Sequence, residues 1–145
     1  MRALIQRVIK GQVTIDNRSV ASIGRGFVIL LGVEKTDNHE KADALARKIS
    51  NLRIFNDDAG KMNLSILDIH GQAIVVSQFT LMADTRKGNR PSFINAAPPE
   101  MASPLVDYFF KALEKLGVDS MSGVFGADML VEIHNDGPVT ILIDI

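Results

Sequence analysis

Seven consecutive positions, Phe27-Val28-Ile29-Leu30-Leu31-Gly32-Val33, carry no polar side chain. Neighbouring side chains of a strand point to opposite faces, so a run of this kind predicts a strand covered on both sides. That requirement constrains everything else, because the chain must supply a layer above this strand and another below it. With 145 residues it has the length to do so as a single domain, 1–145. A chain of that size hides about 68–70% of the surface its unfolded form exposes.

The flanking segments supply candidate layers. Arg2–Ile9 alternates loosely and Gln12–Ile15 continues the pattern, before a turn at Asp16-Asn17 and a short strand over Ser19–Ile23. After the apolar run, Asp37 with Glu40 three residues later reads as a capping-box variant. The helix it opens carries Ala42, Leu45, Ala46, Ile49 and Leu52 at helical spacing. Leu52–Phe55 returns to strand, Asn56–Gly60 turns, and Gln72–Phe79 is another strand. A second helix begins near Pro98-Pro99, where proline suits the first turn. It points Met101, Leu105, Phe109, Ala112, Leu113 and Leu116 inward and stops at Gly117. Pro104 either kinks this helix or moves its start to Ser103.

Phe125–Ile133 and Pro138–Ile145 read as a closing strand pair around Asn135-Asp136-Gly137-Pro138-Val139-Thr140. Asp-Gly between strand-like runs is a hairpin signal. Proline cannot donate to a ladder, so Gly137-Pro138 belongs at an edge, a bulge or a protruding tip. The order of elements predicts an α/β fold, mixed sheets with two helices in three β/β/α layers. Several strands have no helix for their second face, which calls for a second sheet or a partner subunit.

The usual catalytic constellations are missing. With no cysteine there is no disulfide, thiolate metal site or cysteine nucleophile. His39, His70 and His134 lack metal-ligand spacing, and neither metal nor cofactor is expected. No nucleophile elbow, zinc-protease helix or phosphate-cradling glycine loop occurs. A net charge of −1 argues against broad coating of nucleic acid. It leaves room for a local basic patch, best placed in Ala83–Asn95, where Arg86, Lys87 and Arg90 face one acid, Asp84. A solvated loop is the commoner reading of such a short cluster. No run of about 18 apolar residues and no leader pattern occurs, so a cytoplasmic protein is expected.

One segment stands out. Ser77-Gln78-Phe79-Thr80-Leu81 ends an apolar strand with three polar side chains around one aromatic, just ahead of the basic loop. Ligands gather at the carboxyl ends of strands in α/β folds. Taken alone, these residues read as ordinary capping of a strand end, which Ser and Thr provide everywhere.

Both segments together resemble the two signatures of the D-aminoacyl-tRNA deacylase family. The similarity runs on through Gln6-Arg7-Val8, Asn51-Leu52-Arg53-Ile54-Phe55, Gly60-Lys61-Met62-Asn63-Leu64-Ser65, Arg90-Pro91-Ser92-Phe93 and Phe125-Gly126-Ala127-Asp128-Met129. Val124 departs from it, standing where relatives often carry a basic residue, and this bears on RNA contacts near that strand. The resemblance implies the deacylase fold and cleavage of the ester joining a D-amino acid to the terminal adenosine of tRNA. It also implies removal of glycine mischarged on tRNA. Membership further implies a homodimer with active sites at the subunit interface, tRNA as partner, and no cofactor. Gly137 and Pro138 then form a cis main-chain gate reaching into the partner's pocket, anchored by Arg7. Ser77, Gln78, Phe79 and Thr80 line the site, while Arg86, Lys87 and Arg90 hold phosphates.

Two catalytic routes are open. Thr80 has a hydroxyl, yet the sequence offers no base to activate it. Alternatively, backbone N–H groups near Phe79 and Thr80 form an oxyanion hole, and the terminal ribose 2′-hydroxyl assists water. The second route is favoured. Without the resemblance, the chain reads as a dimeric module binding RNA or a partner; a general small-ester hydrolase is the third reading.

Overall fold

A computed structural model describes residues 1–145. The elements follow in the order β1 (Arg2–Ile15), β2 (Arg18–Ile23), β3 (Gly26–Gly32), α1 (His39–Ser50), β4 (Phe55–Asn56), β5 (Met62–Leu64) and β6 (Gln72–Ser77). A 3₁₀ turn (Phe79–Met82), α2 (Pro99–Lys115), β7 (Asp119–Ser122) and β8 (Leu130–Asp144) complete the chain.

The apolar run forms the centre of a six-stranded mixed sheet, ordered β2-β1-β3-β6-β7, with β8 also pairing β1. β3 is antiparallel to β1 and parallel to β6, and β6 is parallel to β7. Parallel neighbours need long crossovers. The segment carrying α1 makes the first and α2 the second, which places both helices against the sheet. Phe27, Ile29 and Leu31 belong to the same buried cluster as Leu45, Ile49, Leu105, Phe109 and Leu113. On the opposite face Val28 clusters with Val8, Val13, Ala21, Ile23, Ile74 and Val76. The second cover is therefore the sheet itself, because the far half of β1 carries β2 back across β6 and β7. Both faces of β3 are filled, as its sequence requires.

Several boundaries differ from the sequence reading. Phe125–Ile133 and Pro138–Ile145 are not a strand pair: β8 runs straight through Gly137-Pro138, and both of its halves pair with β1. β7, unmarked in the sequence, completes the sheet as a parallel edge strand. Leu52–Phe55 contributes only Phe55 to a strand, the two-residue β4 paired with β5. Pro104 does not move the start of α2 to Ser103: the helix begins at Pro99 and takes Pro104 inside it. The carbonyl that loses its partner there is that of Glu100, in the exposed first turn, where water serves. No helix is long and apolar enough to cross a membrane.

The cap of α1 also moves. Asn38, not Asp37, is its N-cap, its side chain accepting from the Lys41 N–H. Asp37 is buried and spoken for. It accepts from the α-ammonium of Met1 at 2.7 Å, the Glu34 N–H at 2.7 Å and Lys41 Nζ at 2.9 Å. Burial pushes its carboxyl up, but these three bonds outweigh burial and hold it below the ordinary 3.8. A depressed folded-state pKa gives stability that is complete above the unfolded value and lost as pH falls through the folded one. Asp37→Asn is expected to cost about 3 kcal/mol at pH 7, from the ammonium left unpaired. In melting curves the gap to the parent protein should shrink below about pH 4. A gap independent of pH would show that charge at Asp37 is not its source.

Candidate active site

At the carboxyl end of β6 the chain leaves the sheet for lack of a partner. Ser77 is the last residue paired with β3, opposite Leu31, and the Gln78 N–H still reaches the Leu31 carbonyl at 2.8 Å. The strand expected to run to Phe79 stops there, and Phe79–Met82 coils into the 3₁₀ turn. Gly32 makes room for it: a Cβ at that position would lie 2.7 Å from Met82 Cε and 3.2 Å from the Gln78 carbonyl.

This turn borders a cavity of about 680 Å³. Ser77, Gln78 and Phe79 line one wall, Phe93, Ala97 and Ala102 another, and Phe125–Met129 a third. Phe79, 56% exposed, meets Phe93 edge-on with ring centres 5.0 Å apart. Thr80 stands exposed at the rim and is not part of the lining. Its hydroxyl oxygen accepts a hydrogen bond from the Gln78 side-chain amide. An amide N–H cannot take up a proton, and no base is hydrogen-bonded to the Thr80 hydroxyl. None of the three histidines reaches the cavity, and Asp128 is the one ionisable side chain among its sixteen lining residues.

The backbone offers what the side chains do not. Like the opening of any helix, the turn begins with N–H groups that have no acceptor inside it. Those of Phe79 and Thr80 donate to no other backbone carbonyl, whereas Leu81 and Ala83 donate to Gln78 and Thr80. Two adjacent free donors beside an apolar cavity can stabilise an oxyanion.

The basic loop is closed by paired backbone hydrogen bonds between Asp84 and Ser92. Within it Arg86 is already occupied. It donates to Asp84 from Nε at 2.9 Å, from Nη2 at 2.6 Å and from its backbone N–H at 3.0 Å. Those bonds, the side-chain ones foremost, bring the Asp84 carboxyl down to about 2. Lys87 and Arg90 are exposed and in no ion pair, so the loop presents two free cations where its sequence suggested three.

Arg7, Gly137 and Pro138 come together elsewhere. The β1–β8 register jumps from Val8↔Asn135 to Gln6↔Thr140, leaving Asp136–Val139 as a bulge opposite Arg7. The proline thus occupies a bulge, one of the positions its missing N–H allows. The Gly137–Pro138 peptide is cis. Arg7 is 6% exposed and donates from Nη1 to the Ile54 carbonyl at 2.6 Å. Its Nε lies 2.9 Å from Asp136 Oδ2, an ion pair whose angle is too poor for a hydrogen bond. The Asn135 side chain straps the base of the bulge, donating to the Arg7 and Val139 carbonyls at 2.9 Å each. Gly137 has φ +116°, and a Cβ there would sit 3.0 Å from Arg7 Nη2. The tip is exposed, and neither Gly137 nor Pro138 lines the cavity.

The sequence-predicted residues thus fall into three groups: Ser77–Thr80 at the cavity, Arg7 with Gly137-Pro138 at the bulge, and Arg86, Lys87 and Arg90 on the loop. Sequence reasoning missed Phe93, Ala97 and Ala102 as lining. Periodicity could not reveal them, because loop and helix-start positions carry no pattern of their own. Phe125–Met129 was visible as a motif but read as strand; the positive φ of Gly126 marks it as a turn.

A family model described as "D-Tyr-tRNA(Tyr) deacylase" matches residues 4–144. A protein of Roseiflexus castenholzii named "D-aminoacyl-tRNA deacylase" is 58% identical over 144 residues, covering 99% of this chain and 92% of its own. One of the same name from Deinococcus deserti is 54% identical over 145 residues, covering 100% of this chain and 99% of its own. Among solved structures, "c-Myc DNA Unwinding Element Binding Protein" superposes with a TM-score of 0.94 at 40% identity, covering 99% of this chain and 98% of its own. A probable eukaryotic D-amino acid tRNA deacylase shares the fold, with a TM-score of 0.85 at 18% identity over 99% of this chain and 98% of its own.

Proposed function

This chain belongs to the D-Tyr-tRNA(Tyr) deacylase family, and on that premise we propose that it hydrolyses the ester between a D-amino acid and the 3′-terminal adenosine of tRNA. The observation that carries the reading is the pair of free N–H groups at Phe79 and Thr80, set against a cavity with no nucleophile–base pair. An aminoacyl ester is already activated, and water attacking its carbonyl drives charge onto one oxygen. Donors fixed at that oxygen are each worth roughly 2.7–4 kcal/mol in the transition state. The neighbouring ribose 2′-hydroxyl supplies the proton relay that the protein lacks. Products are the free D-amino acid and tRNA.

Chirality is read by a second copy of the chain. Gly137-Pro138 from one protomer covers the cavity of its twin, where a side chain of L configuration strikes main-chain atoms and hydrogen passes. Glycine is accepted by the same rule, which accounts for activity on glycine mischarged on the tRNA for alanine. The exposed tip, absent from its own cavity, supports a homodimer. So do the unpaired outer edge of β8 and the bare Ile9, Leu130 and Leu142, 63%, 66% and 57% exposed. Lys87 and Arg90, with Arg86 once it is released from Asp84, hold phosphates of the acceptor end. A tRNA substrate places the enzyme in the cytoplasm.

The test is release of tyrosine from D-tyrosyl-tRNA and L-tyrosyl-tRNA by the purified protein. Hydrolysis of the D form with the L form spared is expected. Binding without cleavage would make the chain a binding module, and equal cleavage of RNA-free tyrosine esters would make it a general esterase.

A further inference from the structure

Behind one wall of the cavity lies a second concavity that the reaction above does not use. The partition is the turn Val124–Ala127, closed by a hydrogen bond from the Ala127 N–H to the Val124 carbonyl at 3.2 Å. Phe125, Ala127 and Asp128 face the large cavity. Val124 and the same Ala127, with Ile15, Asp16, Arg18 and Val20, border an open hollow of about 510 Å³ on the other side. The two spaces are neighbours with a common residue.

Its lining is chemically mixed. Val20 and Val124 leave 44% and 50% of their surface bare. Arg18 and Asp16 take part in no ion pair. Both are held by the tight β1–β2 turn, in which Asp16 and Asn17 have φ +49° and +61° and Ile15 pairs with Arg18. This is the geometry of a two-residue hairpin, so the acid and the base stand on rigid backbone. Apolar walls, one carboxylate and one guanidinium make a preformed surface that is neither plainly basic nor plainly hydrophobic.

We propose that this concavity is a subsite for the nucleotide preceding the terminal adenosine, a cytidine in tRNAs, whose 3′ ends read C-C-A. The inference rests on the hydrolase reading and deepens it. Val20 and Val124 pack on the pyrimidine face. The Asp16 carboxylate accepts from the cytosine N4 amine, the pairing expected of an acidic side chain with that base edge. Arg18 meets the phosphate linking the two nucleotides. A uridine would present its O4 acceptor to the carboxylate, so the subsite rejects it by repulsion. Val124 fits here better than a cation would, since its role is to pack on a base.

The experiment uses three substrates with one ester: D-tyrosyl-adenosine, D-tyrosyl-cytidylyl-adenosine and D-tyrosyl-uridylyl-adenosine. Adding cytidine should raise kcat/KM by about tenfold or more over the nucleoside, the scale of one charge-assisted hydrogen bond. Uridine should gain less. Asp16→Gly, which suits the positive φ, and Arg18→Gln, on the exposed surface, should each shrink the differences among the three substrates. Equal kcat/KM on all three in the parent protein, or an undiminished preference in both variants, would overturn the subsite. Calorimetric titration with the unacylated dinucleotides separates this from failure of the hydrolase reading. Tighter binding of cytidylyl-adenosine than uridylyl-adenosine supports the subsite even if no ester is cleaved, and equal binding overturns it.

Discussion

Replacing the terminal adenosine by 2′-deoxyadenosine should slow single-turnover hydrolysis of D-tyrosyl-tRNA by about 10²–10⁴-fold, the usual worth of a positioned acid–base group. Thr80→Ala, by contrast, should keep most of the parent rate. Both expectations come from what surrounds the Thr80 hydroxyl. It accepts from the Gln78 amide and is hydrogen-bonded to no histidine, lysine or carboxylate that could take its proton. Asp128 is the one ionisable group of the cavity lining, and it sits on the wall formed by Phe125–Met129. The free N–H groups of Phe79 and Thr80 survive loss of the side chain, because a backbone donor does not depend on which residue carries it. Alanine at position 80 leaves them in place. If the deoxy substrate is cleaved at the parent rate while Thr80→Ala loses about four orders of magnitude, the threonine is the nucleophile and the RNA a passive leaving group.

The same distinction explains how much was legible beforehand. Side-chain patterns reported the layers well: the run Phe27–Val33 required cover on both faces, and the two clusters around β3 provide it. They also singled out Ser77–Thr80, of which Ser77, Gln78 and Phe79 border the large cavity, because polar residues after a buried strand are visible in one dimension. Patterns failed where backbone pairing decides. Asp136-Gly137 carries the mark of a hairpin while Pro138 asks for an edge, a bulge or a tip; β1 is long enough to pair with both flanking segments, and the bulge rather than the strand pair is what forms. β7 has only Met121 as a large apolar residue, and its burial pattern shows no buried position, so no periodicity announced it. Arg86 looked like a free cation because sequence shows its charge and not its bond to Asp84. Which main-chain N–H groups lack an acceptor is not written in side-chain patterns: the sequence suggests donors near Phe79 and Thr80, and only the 3₁₀ turn shows them without a backbone partner.

Arg7 carries the other large effect. Its guanidinium is buried beneath the bulge, bonded to the Ile54 carbonyl and paired with Asp136, while Asn135 ties the same turn to the Arg7 carbonyl. Arg7→Ala should destabilise the fold by about 1.5–3 kcal/mol, chiefly because the buried Ile54 carbonyl loses a charged donor, while the half-exposed Asp136 can turn to water. Arg7→Lys is the more informative change. It keeps the charge but cannot span both partners with one ammonium. The fold should survive with a loosened tip, and hydrolysis of L-tyrosyl-tRNA should rise about 10–200-fold, the range over which a compliant pocket discriminates. Where that loosened tip acts is decided by mixing subunits. In a dimer of one Arg7→Lys protomer and one Ala97→Trp protomer, whose indole fills its own cavity, the only open cavity belongs to the Arg7→Lys chain. A gate lent across the interface then comes from the partner with arginine intact, and selectivity against L-tyrosyl-tRNA should be that of the parent protein. A gate acting on its own cavity would instead leave the mixed dimer as permissive as the Arg7→Lys homodimer, and the cross-subunit reading would fail.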